Sequence, residues 1–175
     1  VVVKDRAGNT TTYIVTVMKN YTVTYKADGI IVSTQTIGHG KDATVPEIPE
    51  KEGYTQTAPT WDKEGVNITT DTVINAVYTI NQYTVTIPSE QIGYTLETDV
   101  ETIEHGGEVY ISISTKEGYE KTDSFALKVN GEAVELTEYN NVVVVATKDL
   151  VITVEGVELK TYTITFKDQN GIYKT

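Results

Sequence analysis

Tyr21-Thr22-Val23-Thr24 alternates bulky side chains with threonine, the two-residue period of a β-strand with one buried face. The phrase returns as Tyr83-Thr84-Val85-Thr86 and, with isoleucine for valine, as Tyr162-Thr163-Ile164-Thr165. Its leading tyrosines stand 62 and 79 residues apart, and recurrence on that scale marks a tandem array. The pattern leaves the buried side open: tyrosine and valine face inward and threonine outward, or the reverse.

From the first copy onward, residues 21–26 read as a strand, Asp28-Gly29 as a hairpin turn and 30–37 as the return strand. Gly38-His39-Gly40 then breaks the chain, and Pro46, Pro49 and Pro59 confine the following stretch to loops and short edge pieces. Residues 72–78 close the unit as a strand interrupted by Asn75. No window of a dozen residues carries a 3.6-residue period, so one short helix is the most that is expected.

The second unit keeps the same landmarks. Thr36-Ile37-Gly38-His39-Gly40 corresponds to Thr102-Ile103-Glu104-His105-Gly106, and Lys51-Glu52-Gly53-Tyr54 to Lys116-Glu117-Gly118-Tyr119. Asp71-Thr72-Val73-Ile74 corresponds to Asp149-Leu150-Val151-Ile152. Most of the extra length lies between Tyr119 and Asp149. There, residues 125–129, Asn130-Gly131 and 132–136 spell a hairpin with a type I′ turn. The apolar run 142–145 reads as a buried central strand, and the unit as a sandwich-like domain of six or seven strands.

Four divisions result: 1–19, 20–81, 82–160 and 161–175. In the first, a strand at Val1-Val2-Val3, a turn at Asp5–Asn9 and an alternating strand over 12–18 are expected. In the last, "TYTITFKDQNG" repeats the opening hairpin of a third unit that has barely begun.

Composition fits an all-strand reading. Cysteine is absent, methionine and tryptophan occur once each, and the net charge is −11. An acidic surface repels phosphate backbones and anionic lipid, so neither nucleic acid nor membrane headgroups are expected partners. No run approaches the roughly 18 apolar residues of a membrane helix, so insertion by these residues is not expected. Without cysteine there is neither a disulfide staple nor a thiol nucleophile. With two histidines and no Gly-x-Ser-x-Gly, P-loop, dinucleotide fingerprint or HExxH motif, an enzyme is not expected.

Candidate chemistry is sparse, and each case has a plainer reading. His39 and His105 stand before equivalent glycines; a metal or pH-sensing role competes with a simple turn, which we prefer. Tyr54, Trp61 and Tyr119 are candidate ligand contacts, able to stack on sugar rings, but filling a small β-core is the reading we prefer. Asn130 and Gly131, at the added hairpin's tip, are candidate contacts because loops on a rigid scaffold often carry recognition. Asp5 with Asn9, Asp28, and Asp168 with Asn170 are candidate calcium ligands, but none shows the alternating acidic loop, and solvated turns are the preferred reading. Lys–Asn pairs could form intramolecular isopeptide bonds, given a buried lysine beside asparagine and an acid. No metal or cofactor is expected.

The first unit, with "YTVTYKADG", "HGKDATVPEIPEKEGYT", Trp61 and "ITTDTVINAVYT" in order, resembles the Listeria–Bacteroides repeat, related to the B-repeat of internalin-type surface proteins. The chain departs from that pattern with Pro59-Thr60 where a glycine before Trp61 is expected. The resemblance implies a small β-grasp-like module, in tandem on secreted or wall-attached bacterial proteins. The second unit is similar to larger β-repeats of bacterial cell-surface proteins, and residues 1–19 resemble the final hairpin of bacterial Ig-like domains. The expected fold class is therefore mainly β: tandem small modules, the first β-grasp-like and the second sandwich-like. Two functions follow as expectations. One is a non-catalytic spacer whose partners are neighbouring repeats of the same chain. The other is an adhesion module recognising a glycan or a host surface protein. The chain is expected to be a monomer.

Overall fold

The computed structural model describes residues 1–14, 16–55, 59–168 and 171–174. Among them are sixteen strands and no helix. The chain divides into two compact units, Val1–Thr79 and Ile80–Thr175.

The first unit opens with a hairpin of β1 (Val2–Lys4) and β2 (Thr10–Thr12). The expected strand over 12–18 is corrected: backbone pairing ends at Tyr13, which exchanges hydrogen bonds with Val1 at 2.7 and 2.6 Å, and Ile14, Val17 and Met18 are exposed beyond it. Val15 lies outside the described residues. A two-stranded hairpin offers too little apolar surface to hold a longer alternating strand.

The body of the unit is a four-stranded mixed sheet. β3 (Asn20–Ala27) turns through Asp28 and Gly29, at φ 47° and 80°, into antiparallel β4 (Ile30–Gly38). Both turn residues have positive φ, as a type I′ turn requires. β5 (Thr60–Trp61) follows Pro59 as a two-residue edge piece, and β6 (Thr72–Val77) closes the unit. The order is β4-β3-β6-β5. Its central pair is parallel, Val23–Lys26 lying beside Thr72–Asn75. First and last strands are thus neighbours at the centre of the sheet.

The structure resolves which side of the repeated phrase is buried. Val23, Tyr25 and Ala27 point into the core with Ile68 and Ile74, while Thr22 is exposed. Residues 42–50 have no regular structure and at Thr44 lie against β4. Gln35 holds them there, because its side chain shares a sheet face with buried Val23 opposite. Its Nε2 donates to the Thr44 carbonyl at 2.6 Å, and the Thr44 N–H donates to Oε1 at 2.9 Å. One amide side chain imitates a strand and satisfies both backbone groups of one residue.

The second unit is a sandwich of β7 (Gln82–Thr86), β8 (Tyr94–Thr98), β9 (Thr102–Glu104), β10 (Glu108–Thr115), β11 (Tyr119–Val129), β12 (Glu132–Val134), β13 (Asn141–Val145) and β14 (Leu150–Leu159). There are eight strands rather than six or seven, because β9 and β12 are short pieces that pattern alone does not separate. One sheet is β13-β10-β8 and the other β12-β11-β14-β7-β9. Leu96, Val109, Ile111 and Ile113 from the first meet Val85, Leu127, Val129, Leu150 and Ile152 from the second in one core. As in the first unit, first and last strands run parallel, Val85–Thr86 beside Leu150–Val151.

Two details distinguish this unit from its sequence-based picture. The run 142–145 is not a central strand: β13 lies at the edge of its sheet, with Val143 and Val145 facing solvent. An unbroken apolar run does not by itself distinguish edge from centre. The long β11–β14 pairing is irregular between Lys121 and Ala126. Gly156, at φ +71°, sits there, and a Cβ on it would fall 2.5 Å from the Phe125 nitrogen, so the irregularity depends on glycine.

The third copy of the phrase behaves differently. Residues 162–165 lie outside any strand, with Tyr162 and Ile164 exposed, and the following hairpin is β15 (Phe166–Asp168) with β16 (Gly171–Lys174). In both complete units this phrase lies between a return strand and a closing strand. Among the described residues no closing strand pairs with the third copy, and its alternation has no apolar face to cover.

Candidate functional site

The recurring chemistry is a set of polar contacts that locks the first strand of each unit to its last. Asp71, just before β6, accepts the Thr22 N–H on Oδ1 at 2.8 Å, and Asp149, just before β14, accepts the Thr84 N–H at 2.8 Å. The phrase's tyrosines reach the neighbouring turn. The Tyr21 hydroxyl is 3.3 Å from His39 Nδ1, and the Tyr83 hydroxyl is 3.1 Å from His105 Nδ1. Gly40 donates its N–H to the Ile68 carbonyl and Gly106 to that of Ala146, both at 2.7 Å, with φ 73° and 78°. Each histidine therefore serves a turn in its own unit. Among the described residues no group of three metal-ligating side chains occurs.

Within the first unit, Trp61 and Tyr54 pack against different partners. Trp61 packs edge-on against buried Tyr25, ring centroids 4.9 Å apart, and donates Nε1–H to the Pro46 carbonyl at 3.1 Å. Tyr54 instead meets Tyr78 at 5.9 Å, with the Lys51 ammonium 4.1 Å from its ring centroid. Lys51 also pairs with Asp28 at 2.9 Å, and that hydrogen bond raises its pKa above the ordinary lysine value. Tyr119 begins β11, its ring against Gly93, where an added Cβ would fall 2.4 Å from it.

Comparison with protein families, curated proteins and solved structures finds no match.

Asn130 and Gly131 do form the tip of the β11–β12 hairpin, at φ 52° and 88°. The Asn130 side chain, however, is turned back onto β14. Its Nδ2 donates to the Asp149 carbonyl at 3.0 Å and its Oδ1 accepts the Val151 N–H at 2.8 Å. Its amide is engaged within the fold, and Gly131 offers only backbone.

The remaining candidates resolve singly. The Asp5 carboxylate accepts the Ala7 and Asn9 N–H groups and the Asn9 side-chain amide, at 2.8–2.9 Å. The Asn9 bonds, foremost, hold its pKa below the ordinary value, as in a closed Asx turn. Asn170 lies outside the described residues. Lys121 Nζ is 2.5 Å from Asn140 Oδ1 and lies over the Phe125 ring, and desolvation lowers its pKa. The contact is exposed and no carboxylate is bonded to it among the described residues, so it is an ordinary hydrogen bond.

Sequence reasoning missed the roles of Asp71 and Asp149. Their signal was present, since the two aspartates align between units; their backbone partners lie 49 and 65 residues away. It also missed Tyr78, which donates its hydroxyl to the Pro49 carbonyl at 2.8 Å.

Proposed function

We propose that this chain is a non-catalytic, load-bearing spacer from a secreted or wall-attached bacterial surface protein, its first unit a repeat of the Listeria–Bacteroides type and its second a related larger β-repeat. The observation that carries the reading is the parallel pairing of first and last strands in both units. Tension through the chain pulls the start of β3 and the end of β6 apart along the strand axis. The hydrogen bonds between parallel neighbours run across that axis. They are therefore loaded together in shear rather than peeled one by one. An acidic, soluble surface and engaged aromatic side chains suit such a segment. The adhesion reading through Tyr54, Trp61, Tyr119 and Asn130 has less support, because each of these side chains packs or bonds within its own unit.

Stretching the chain by its two ends in a force experiment tests this. Forced unfolding is governed by the unfolding rate, so each unit should give one abrupt event. The first unit, with its longer parallel pairing, should resist the higher force. Gradual extension without discrete events would refute the proposal.

A further inference from the structure

We infer that the free edge of β13 is a docking site for an extended, cationic polypeptide segment, which would add as a fourth strand to β13-β10-β8. This goes beyond the spacer reading and stands or falls separately from it.

The backbone alternation identifies the open groups. Asn140 accepts from Ile113 on β10, and Ala146 donates to Gly107 on the same side. Even-numbered residues of the strand therefore face β10, and Val143 and Val145 turn their N–H and C=O groups outward. Among the described residues nothing bonds those four groups, whereas the outward carbonyl of Asn141 takes the Thr137 N–H at 2.9 Å. The side chains are open as well: Val143 is 52% exposed, Val145 54%, and Tyr110, directly opposite Val143, 43%.

The other edges are blunted. On β8, Gln91 occupies the outward groups of Leu96, with Leu96 N–H to Oε1 at 2.7 Å and Nε2 to the Leu96 carbonyl at 3.2 Å. In the first unit, the β3–β4 pairing is irregular near Tyr25, and the middle of β4, Ser33-Thr34-Gln35-Thr36, is polar. β5, β9 and β12 have two or three residues each. Natural edges are normally protected by a charge, a proline, a bulge or a cover. β13 (Asn141–Val145) has no charge and no proline, and its ladder with β10 is regular.

Charge selects the occupant. The strands of this sheet contain two charged residues, Glu97 and Glu108, and no cation. Glu108 pairs directly with Val145. Residues 80–175 hold seven Lys and Arg against sixteen Asp and Glu, a net −9, while residues 1–79 hold seven against nine, a net −2. A second copy of so acidic a unit would be repelled. A strand alternating apolar and basic side chains would set its basic side chains on the face of Val143, Val145, Tyr110 and Glu108, their aliphatic stems covering the apolar groups and an ammonium answering Glu108, and its apolar side chains beside half-buried Val142 and Val144. Main-chain bonds would supply affinity and alternate side chains selectivity.

The test uses the whole chain and three capped peptides of about six residues, a typical strand length. One alternates valine with lysine, one valine with glutamate, and one is the lysine peptide N-methylated on alternate amides. We expect the lysine peptide to protect the Val143 and Val145 amides from hydrogen exchange. It should bind at least about tenfold more tightly than either counterpart. Val143→Pro removes an outward N–H without touching the ladder and should abolish binding with the amide spectrum otherwise kept. Glu108→Gln should narrow the lysine–glutamate difference. Equal binding of the lysine and N-methylated peptides, or no protection at Val143 and Val145, would overturn strand addition. Equal binding of lysine and glutamate peptides would overturn the cationic partner. Concentration-dependent dimerisation dissolved by Val143→Pro would also overturn it, because the occupant would be a second copy.

Discussion

The carboxylate of Asp71 accepts the backbone N–H of Thr22 at 2.8 Å across 49 residues of chain, and Asp149 does the same for Thr84 across 65. In each unit the bond lies at the entrance to the parallel pair, where the closing strand begins. Replacing Asp71 by alanine leaves the Thr22 N–H without that acceptor and should destabilise the first unit by about 1.5 kcal/mol, the low end for a hydrogen bond to a charged group because this one is exposed. Asparagine retains an acceptor oxygen and should recover most of the loss. Denaturant unfolding of both variants checks this, and the same pair at Asp149 should act on the second unit.

Tyr25 is fully buried, and its hydroxyl is the one buried side-chain polar atom without a hydrogen-bond partner among the described residues. Burial alone raises its pKa, so it stays neutral. Its neighbour is Gly65, where an added Cβ would stand 2.3 Å from that oxygen. Tyr25→Phe should therefore stabilise the first unit, by about 1 kcal/mol, since an unsatisfied buried group is removed at little change in shape. Gly65→Ala should destabilise it by about 1–3 kcal/mol through overpacking. A double-mutant cycle should show that Tyr25→Phe relieves part of that loss.

What the sequence made legible follows from local physics. The alternation at Tyr21–Thr24 and the positive-φ residues Asp28-Gly29 and Asn130-Gly131 act within a few residues, so strands and hairpins could be read directly. Periodicity identifies a buried face but not a neighbour, so the parallel pairing of β3 with β6 was invisible although both strands were expected. The same limit misplaced 142–145, whose valines look alike at an edge or in a centre. It also left Tyr54, Trp61 and Tyr119 grouped by type, whereas the fold gives them Tyr78, Tyr25 and Gly93 as separate neighbours. The third phrase makes the converse point: residues 162–165 have the right alternation and no strand, because alternation needs a surface to face.

Asn130 separates a turn that carries recognition from one that carries structure. Asn130→Gly keeps the positive φ available but removes the bonds to Asp149 and Val151. It should lower stability of the second unit by about 1–2 kcal/mol. Asn130→Ala adds the strain of a left-handed backbone, about 1–2 kcal/mol more. Thermal unfolding should rank the natural chain above glycine and glycine above alanine. Unchanged midpoints would return the tip to the list of candidate contacts.

Asp62 gives the first unit a pH dependence of definite sign. Its Oδ1 accepts the Asn75 N–H at 2.7 Å and its Oδ2 the Asn75 side-chain amide at 3.1 Å, while its own N–H donates to the Asn75 carbonyl at 2.8 Å. The bond from the Asn75 backbone is the leading cause of a pKa lowered from 3.8. The folded unit therefore binds fewer protons at this site than the unfolded chain, and stability rises with pH across the interval between the two pKa values. The contribution is fully present above the unfolded value of 3.8 and is lost as pH falls through the lower folded value. Asp62→Asn removes the titrating group, so the variant should be less stable than the natural chain at neutral pH, and the difference should shrink on acidification below that value. Unfolding midpoints of both proteins, followed from neutral pH into acid, check this. A difference that stayed constant with pH would mean that the carboxylate contributes shape rather than charge to the β5–β6 junction.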